Sequence, residues 1–527
     1  LNILCFAPFS AAWDLHGYIE MGILQSLREK KANIIYVFCD IKSEYCYLYL
    51  HEKANCAYCQ QRSAVFAADK NMPYIWLSRF AQADDHAVAT DFVESLSPEE
   101  YPYADYEGKA IGRWVLSTFI SFLRENPFNC HKATHVSVYK GMLVFALETA
   151  LALERLLQQG RYDRVLMFNG RFLPFSILLD MAEARKIPCY LHERGSLPNT
   201  LRVVRHDPSS KLHPMTIIPP ETLLAVPLTP DQLEKTQSIM LRAETDDTGL
   251  NWDRHSPTTK YDDLRAHLNI EKDKRVWAFF VSSDDEMAAF RGYEYPDFPT
   301  QLDGLIRIIQ IIADFSDVHL VIRMHPNSGA KGTKRVPWAD KLTSFLRQRN
   351  HHYVTVIAAD DQVNTYQLMR LAEFGLVACS SCAAEILHRG KPSMAFHKLI
   401  TKNEGIFIAD SNAAMKRILY RFHEKDISRS EMKECFRKSL RHKYFRFFLS
   451  NIPFEVLTQT SPHTVRALFR RVEEIKNIRY PALNKLSDQI LSGNEITFDY
   501  FENDEQHSCL DSESRWIDTY MDRWFTS

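Results

Sequence analysis

Short apolar runs alternate with amphipathic stretches along this chain, once over residues 1–39 and 164–195 and again over residues 275–396. A strand buried on both faces reads as a near-continuous apolar run, and a parallel sheet clad in helices buries strands in that way. The first series opens with the run 2–9, continues with an amphipathic segment at 18–30 and returns to an apolar run at 33–39. Residues 164–168 then read as strand, Asn169-Gly170-Arg171 as a turn, 173–185 as helix and 188–191 as strand, followed by the polar His192-Glu193-Arg194-Gly195. The second series runs strand 276–281, polar turn 282–286, helix 302–315, strand 319–323, strand 354–357, acidic turn Asp360-Asp361 and helix 365–373. It ends in a βαβ unit at 374–396: a strand at 376–379, a two-serine turn, a short helix closed by Gly390 and a strand after Pro392.

At 527 residues the chain exceeds what one core normally serves. Residues 205–262 are rich in Pro, Asp and Thr around one helical segment at 230–245, which marks a boundary. The expected fold class is therefore α/β, with two Rossmann-like doubly wound parallel-sheet domains facing a cleft and a helical C-terminal extension. The expected spans are 1–225 for the first domain, 226–270 for a linker, 271–430 for the second domain and 431–527 for the extension. Helices are also expected at 111–123 and 142–157, where the apolar positions recur with helical period.

Composition narrows the function. Hydrophobic residues at 46% and charged residues at 25% describe a globular chain. A net charge of -2 speaks against a nucleic-acid binder, which meets phosphates with surplus cations. No apolar run approaches the roughly 18 residues that span a bilayer, and the N-terminus opens as a strand, so the expected location is the cytoplasm. The basic, aromatic run 437–448 has two readings: peripheral contact with an anionic membrane surface, or a packed helix whose Lys and Arg stems cover apolar surface. The acidic stretch 502–513 reads as a solvated loop and 516–525 as a docking helix.

Cys39, Cys46, Cys56 and Cys59 fall within 21 residues, with His51 between them and a Cys-x-x-Cys pair at the end. Thiolates and imidazole at such spacings hold zinc. The irregular gaps fit equally well with simple buried thiols, or with a loop that forms a disulfide when oxidised.

The chemistry gathers at strand ends, where open parallel sheets bind ligands. Ser380 and Ser381 precede a helix, so its unpaired N–H groups and their own hydroxyls favour an anion. Glu385 comes round one turn after Ser381, placed to accept hydrogen bonds from a ribose diol. The alternative is a plain helix cap with a solvated first-turn acid. His325 follows the strand 319–323 and precedes Pro326; it can donate to a phosphoryl oxygen, and Arg323 points to the same side. In the first series the loop after strand one carries Trp13, Asp14 and His16.

With these residues in place, the chain resembles the bacterial capsule (surface) polysaccharide biosynthesis proteins, glycosyltransferases of the two-Rossmann-domain GT-B type. The resemblance lies in the run 356–372 followed by Ser-Ser-Cys-Ala-Ala-Glu and Gly-Lys-Pro, in Val-Ser-Ser-Asp-Asp-Glu at 281–286, and in Ile-Arg-Met-His-Pro-Asn at 322–327. It extends to Phe-Asn-Gly-Arg at 168–171, Glu-Arg-Gly at 193–195 and Trp-x-x-His-x-x-x-Glu at 13–20, but not beyond about residue 450. The His-Pro and paired-Ser motifs are also similar to those of bacterial sialyltransferases, capsular Kdo transferases and teichoic-acid glycerophosphotransferases, which use cytidine nucleotides.

The resemblance implies that His325, Ser380 and Ser381 hold the donor phosphate with Arg323 beside them, that Glu385 holds the ribose, and that Ser282 and Ser283 close over the phosphate. The acceptor would lie near His16, Asn169, Arg171, Glu193 and Arg194. The catalytic base is to be sought among His16, Glu193, Asp14 and Glu20, in that order for the first two; a retaining reaction would instead make Glu193 the nucleophile. The donor would be a nucleotide-sugar, CMP-Kdo or CMP-sialic acid before others. The acceptor would be a glycan or lipid-linked glycan at the inner face of the membrane, with other polysaccharide assembly proteins as partners. No cofactor is required, and no metal either: Asp360-Asp361 resembles a Mg²⁺ ligand set, but basic and hydroxyl groups suffice for the phosphate. The alternatives are a polyol-phosphate transferase or a nucleotide-sugar epimerase on the same scaffold, or a non-catalytic capsule assembly factor.

Overall fold

The structure is a computed structural model that describes residues 1–8, 13–48, 55–123, 128–209, 215, 219–245, 256–257, 259–282, 295–325, 338–348, 351–398, 404–460, 464–497 and 509–525. In chain order the first part comprises β1 (Asn2–Phe6), α1 (Asp14–Glu29), β2 (Asn33–Phe38), α2 (Cys56–Asp69), β3 (Ile75–Trp76), α3 (Ile111–Leu123), α4 (Ala133–Gln159), β4 (Arg164–Phe168), α5 (Phe175–Ala184), β5 (Cys189–Arg194) and β6 (Thr200–Arg205). The middle comprises α6 (Pro230–Thr245), β7 (Arg275–Phe280), α7 (Gln301–Ile312), β8 (Val318–Arg323), β9 (Val354–Ile357), α8 (Thr365–Leu371), β10 (Phe374–Val377), α9 (Cys382–Leu387), β11 (Ser393–Ala395), β12 (Phe407–Ile408), α10 (Asn412–His423) and α11 (Arg429–Tyr444). The tail adds β13 (Ile452–Pro453), β14 (Leu457–Gln459), β15 (Val465–Ala467), α12 (Pro481–Ser492) and α13 (Leu510–Phe525).

The chain divides into two compact units, one of Leu1–Ile217 with Leu449–Asp499, the other of Ile218–Phe448 with Tyr500–Ser527. The first holds a seven-stranded sheet in the order β13-β6-β5-β4-β1-β2-β3, and the second a six-stranded sheet in the order β12-β11-β10-β7-β8-β9. From β3 to β5 the first sheet is parallel, with antiparallel β6 and β13 added at one edge. The second is parallel throughout. Both are α/β sheets of doubly wound order, reversing direction between β1 and β4 and between β7 and β10. Such switch points leave a crevice at the carboxyl ends of the two central strands.

The single helical extension expected at 431–527 is not what forms. Residues 449–499 return to the first unit because their apolar groups cover α1: Phe454, Val456, Phe469, Leu483, Leu486 and Ile490 lie in one core with Ile19, Ile23 and Leu27. Gly22 permits the approach, since a Cβ there would stand 2.6 Å from the Phe454 ring. The domain edges expected at 225 and 430 shift accordingly. A second difference is that β5 runs on past the expected end at 191 to Arg194, so His192 and Glu193 are strand residues paired with β6. Helix α4 is longer than expected, 27 residues, and by length and apolarity it could cross a membrane, although 56% of its apolar window is buried within the unit.

The basic run of α11 is paired within the second unit. Arg441 chelates Glu513 of α13 with Nε at 2.9 Å and Nη2 beside it, and Arg437 Nε lies 3.2 Å from the same carboxylate. Glu513 is fully buried and also accepts the Leu228 amide at 3.0 Å, and Lys433 meets Asp518 at 2.6 Å. These cations hold two helices together, which agrees with the packed-helix reading of 437–448. Because removing one partner leaves the others charged and buried, Glu513→Ala is expected to destabilise the second unit by roughly 3–5 kcal/mol. Urea unfolding of the full chain measures it; a loss below about 1 kcal/mol, typical of surface pairs, would contradict the assignment.

Candidate functional site

At the switch point of the first sheet, α1 and the ends of β4 and β5 bring four of the expected residues together. His16 lies in the first turn of α1, its ring packed on Phe168 at 4.2 Å between centroids and flanked by Trp13 at 5.7 Å. Its Nε2 faces Glu193 Oε1 at 3.6 Å, and Asn169 Nδ2 donates to Glu193 Oε2 at 2.9 Å. The Arg194 backbone amide donates to Glu193 Oε1 at 3.0 Å. Asn169 and Gly170 both adopt the left-handed conformation, at φ 51° and 74°, which suits Asn and Gly and turns the chain sharply off β4. That turn aims Asn169 back at Glu193.

Burial pushes the His16 pKa well below its ordinary value, with further lowering from the neighbouring His192 ring and the Arg194 guanidinium. The 3.6 Å approach of Glu193 is longer than a hydrogen bond, so it does not offset the loss of water. The imidazole is therefore neutral at neutral pH. A carboxylate can only accept, which favours the tautomer with hydrogen on Nε2 and leaves Nδ1 as the bare lone pair. That Nδ1 and the Asn169 Oδ1 are both buried with no hydrogen-bond partner among the described residues.

The other expected residues of this unit have structural occupations. Glu20 is fully buried and accepts from Tyr36 Oη at 2.8 Å and from His192 Nε2 at 3.1 Å, so it lies beneath the site and is removed from the list of bases in contact with substrate. Asp14 forms a half-exposed ion pair with Arg62 at 2.7 Å. The Arg171 guanidinium donates to Ser117 Oγ at 2.9 Å and Ser121 Oγ at 2.6 Å and stacks on Phe172, fastening the turn to α3. His192 and Tyr36 were missed as site neighbours. The i, i+4 spacing of His16 and Glu20 sets both on one face of α1, where Glu193 approaches the first and His192 bonds the second.

In the second unit the expected donor residues leave the same edge of the sheet, after β7, β8 and β10. Ser282 is buried; its Oγ accepts the Cys379 amide at 3.1 Å, and its own amide and carbonyl bond the Gln301 side chain at 2.7 and 3.2 Å. It thus staples the end of β7 to β10 and α7. Ser283 lies outside the described residues, as do Pro326 and Asn327. Arg323 is 1% exposed and donates to the carbonyls of Ala358 and, at 3.2 Å, Asp361. Burial lowers its pKa while Asp361 and Asp360 oppose that shift. It pins the acidic turn from within, which sets it apart from ligand-facing groups. The Asp361 carboxylate itself accepts the Val363 amide at 2.9 Å, the bond of a turn.

His325 is half-buried two residues after β8. Ser380 Oγ accepts the Cys382 amide at 3.3 Å, and the exposed Ser381 donates to Glu385 Oε1 at 3.0 Å. The expected meeting of Ser381 and Glu385 on one face is thus realised. Helix α9 is short and held firmly from below: buried His388 bonds Gln237 at 2.8 Å and Ser439 at 3.1 Å, and its carbonyl accepts from Tyr520 Oη at 3.0 Å.

The His16 assignment has a pH consequence. A base whose folded pKa lies below its ordinary value of about 6.5 contributes full stability above that value and loses it as pH falls toward the depressed folded pKa. The His16 ring proton resonance is expected to stay flat from about pH 8 to about pH 6, while His16→Gln flattens the acid side of the stability profile. A His16 resonance titrating near its ordinary value would contradict a neutral buried ring.

No family model matches the chain, and no curated protein does. Among solved structures it is similar to Thermosulfurimonas dismutans KpsC, a beta Kdo 2,4 transferase, at 15% identity over 45% of this chain and 70% of that one, with a TM-score of 0.28. It is similar to the UDP-GlcNAc 2-epimerase of Neisseria meningitidis bound to UDP-GlcNAc, at 11% identity over 84% and 97% of the two chains, TM-score 0.26. It is also similar to the spinosyn rhamnosyltransferase SpnG, at 12% identity over 85% and 97%, TM-score 0.25.

Proposed function

We propose that the chain is a cytoplasmic glycosyltransferase that moves a sugar from a nucleotide-sugar, cytidine type preferred, to a surface-polysaccharide acceptor. The observation that carries this reading is the buried His16 imidazole facing Glu193 across 3.6 Å at a sheet switch point. The motif resemblance supports it, and the serine turn at the other switch point supplies groups suited to a phosphate. In the transfer the acceptor hydroxyl gives its proton to His16 Nδ1 as its oxygen bonds the sugar carbon and the bond from that carbon to the phosphate oxygen breaks. Glu193, 3.6 Å from Nε2, stabilises the imidazolium that forms by its charge, and the Asn169 carbonyl orients the hydroxyl.

The second unit takes the donor. Ser380, Ser381 and the His325 imidazole donate to the departing phosphate, and Glu385, once its serine partner turns to the phosphate, accepts from the ribose. Direct displacement inverts the sugar carbon.

A thermal-shift screen with CMP, CDP, UDP, GDP and ADP is expected to show the largest rise in Tm with a cytidine nucleotide. His325→Ala and Glu385→Ala each weaken that binding by roughly 10- to 100-fold. His16→Ala leaves binding intact and lowers transfer to a glycan primer by about 10²- to 10⁴-fold. Free epimerised sugar with no elongated primer would establish epimerase action in place of transfer, and the absence of any nucleotide response would remove the donor site altogether.

A further inference from the structure

Four of the eleven cysteines, Cys39, Cys46, Cys56 and Cys59, border one cavity of about 30 Å³ in the first unit. A space of that size holds one or two water-sized occupants, and Ile41 and Leu48 give it apolar wall. Local structure explains the convergence. Cys39 directly follows β2, and Cys46 lies in the loop beyond it. Asn55 caps α2 by accepting the Tyr58 amide at 2.8 Å, which sets Cys56 and Cys59 in the first turn. Cys56 ties the two segments, accepting the Ser43 amide and donating to the Ser43 carbonyl, each at 3.2 Å.

We propose that these four thiols are the ligands of a structural Zn²⁺ site. Two ligands from a helix's first turn and two from the loop facing it make an all-sulfur set for a borderline-soft d¹⁰ cation, with no position left for water. All four are free cysteines. No three of the four sulfurs lie within 4.8 Å of one another; among the described residues the group that does is Glu99, Cys130 and His131, where both Glu99 and His131 are exposed. Binding therefore draws the loop inward until each Zn–S distance is about 2.3 Å, and each thiol gives up its proton as it ligates.

The site would brace what stands beside it. Tyr47, next to Cys46, packs on Trp13 at 5.6 Å and on Phe172 at 3.9 Å, and Trp13 borders His16. The test uses the full reduced chain, freed of metal with a chelator and titrated with Co²⁺ and then Zn²⁺. One Co²⁺ per chain with the charge-transfer absorption of four thiolates, displaced by Zn²⁺ and accompanied by a rise in Tm, is the expected result. Cys46→Ser and Cys59→Ser each weaken binding by more than about tenfold while Cys130→Ser does not. Three results would overturn the proposal: no thiolate absorption in the unmodified chain, a signal lost in Cys130→Ser and kept in Cys46→Ser, or an air-formed Cys56–Cys59 disulfide in a chain that takes up no metal when reduced. The wild-type titration decides the matter even where a serine variant fails to fold.

Discussion

Parallel pairing at the two switch points is the constraint on which both candidate sites depend. β1 pairs in parallel with β2 and β4, and β7 with β8 and β10, so the central strands of each sheet end at one edge and their following loops part in opposite directions. The hydrogen-bond ladder alone thus delivers the His16 turn beside Asn169 in one unit, and Ser282 beside Ser380 in the other. No side chain has to be positioned across a long loop. What the loops add is chemistry, on elements already held to within a register.

The second constraint is the cost of burying polar groups beneath these edges. In the first unit the fully buried Glu20 is satisfied by Tyr36 and His192, a floor on which the His16 ring rests through Phe168. In the second, Arg323 spends its guanidinium on the carbonyls of the acidic turn, and Ser282 joins three elements at once. Each would be expensive to bury unpaired. Their partners are the reason they are scaffold, and they separate the motif residues that shape the edge from the buried pair His16 and Asn169, each with one unmatched polar atom among the described residues, and from the more accessible Glu193, Ser381 and Glu385.

Much of this was legible in one dimension. The strands at 164–168 and 354–357 agree with their expected bounds, because a buried parallel strand advertises itself as an apolar run ended by a turn residue. The one-turn spacing of Ser381 and Glu385 follows from helical period and is realised as a hydrogen bond. The errors have a common cause. The strand is expected to end at Leu191 because polar residues close an apolar run, yet pairing with β6 carries it through His192 and Glu193. The tail read as a helical extension because helix period dominates its sequence, yet Phe454 and its neighbours find their apolar partners on α1.

Local pattern by itself determined the class of fold, the two series of strands and helices, and the residue types offered at each strand end, since these depend on periods of 2 and 3.6 and on turn chemistry. Only the tertiary structure decided which of those residues face one another, which are consumed as buried staples, and where the tail goes. Those outcomes turn on burial, and burial is a property of partners far apart in sequence: Glu193 lies 177 positions from His16 and Phe454 lies 432 from Gly22, distances that no local pattern can bridge.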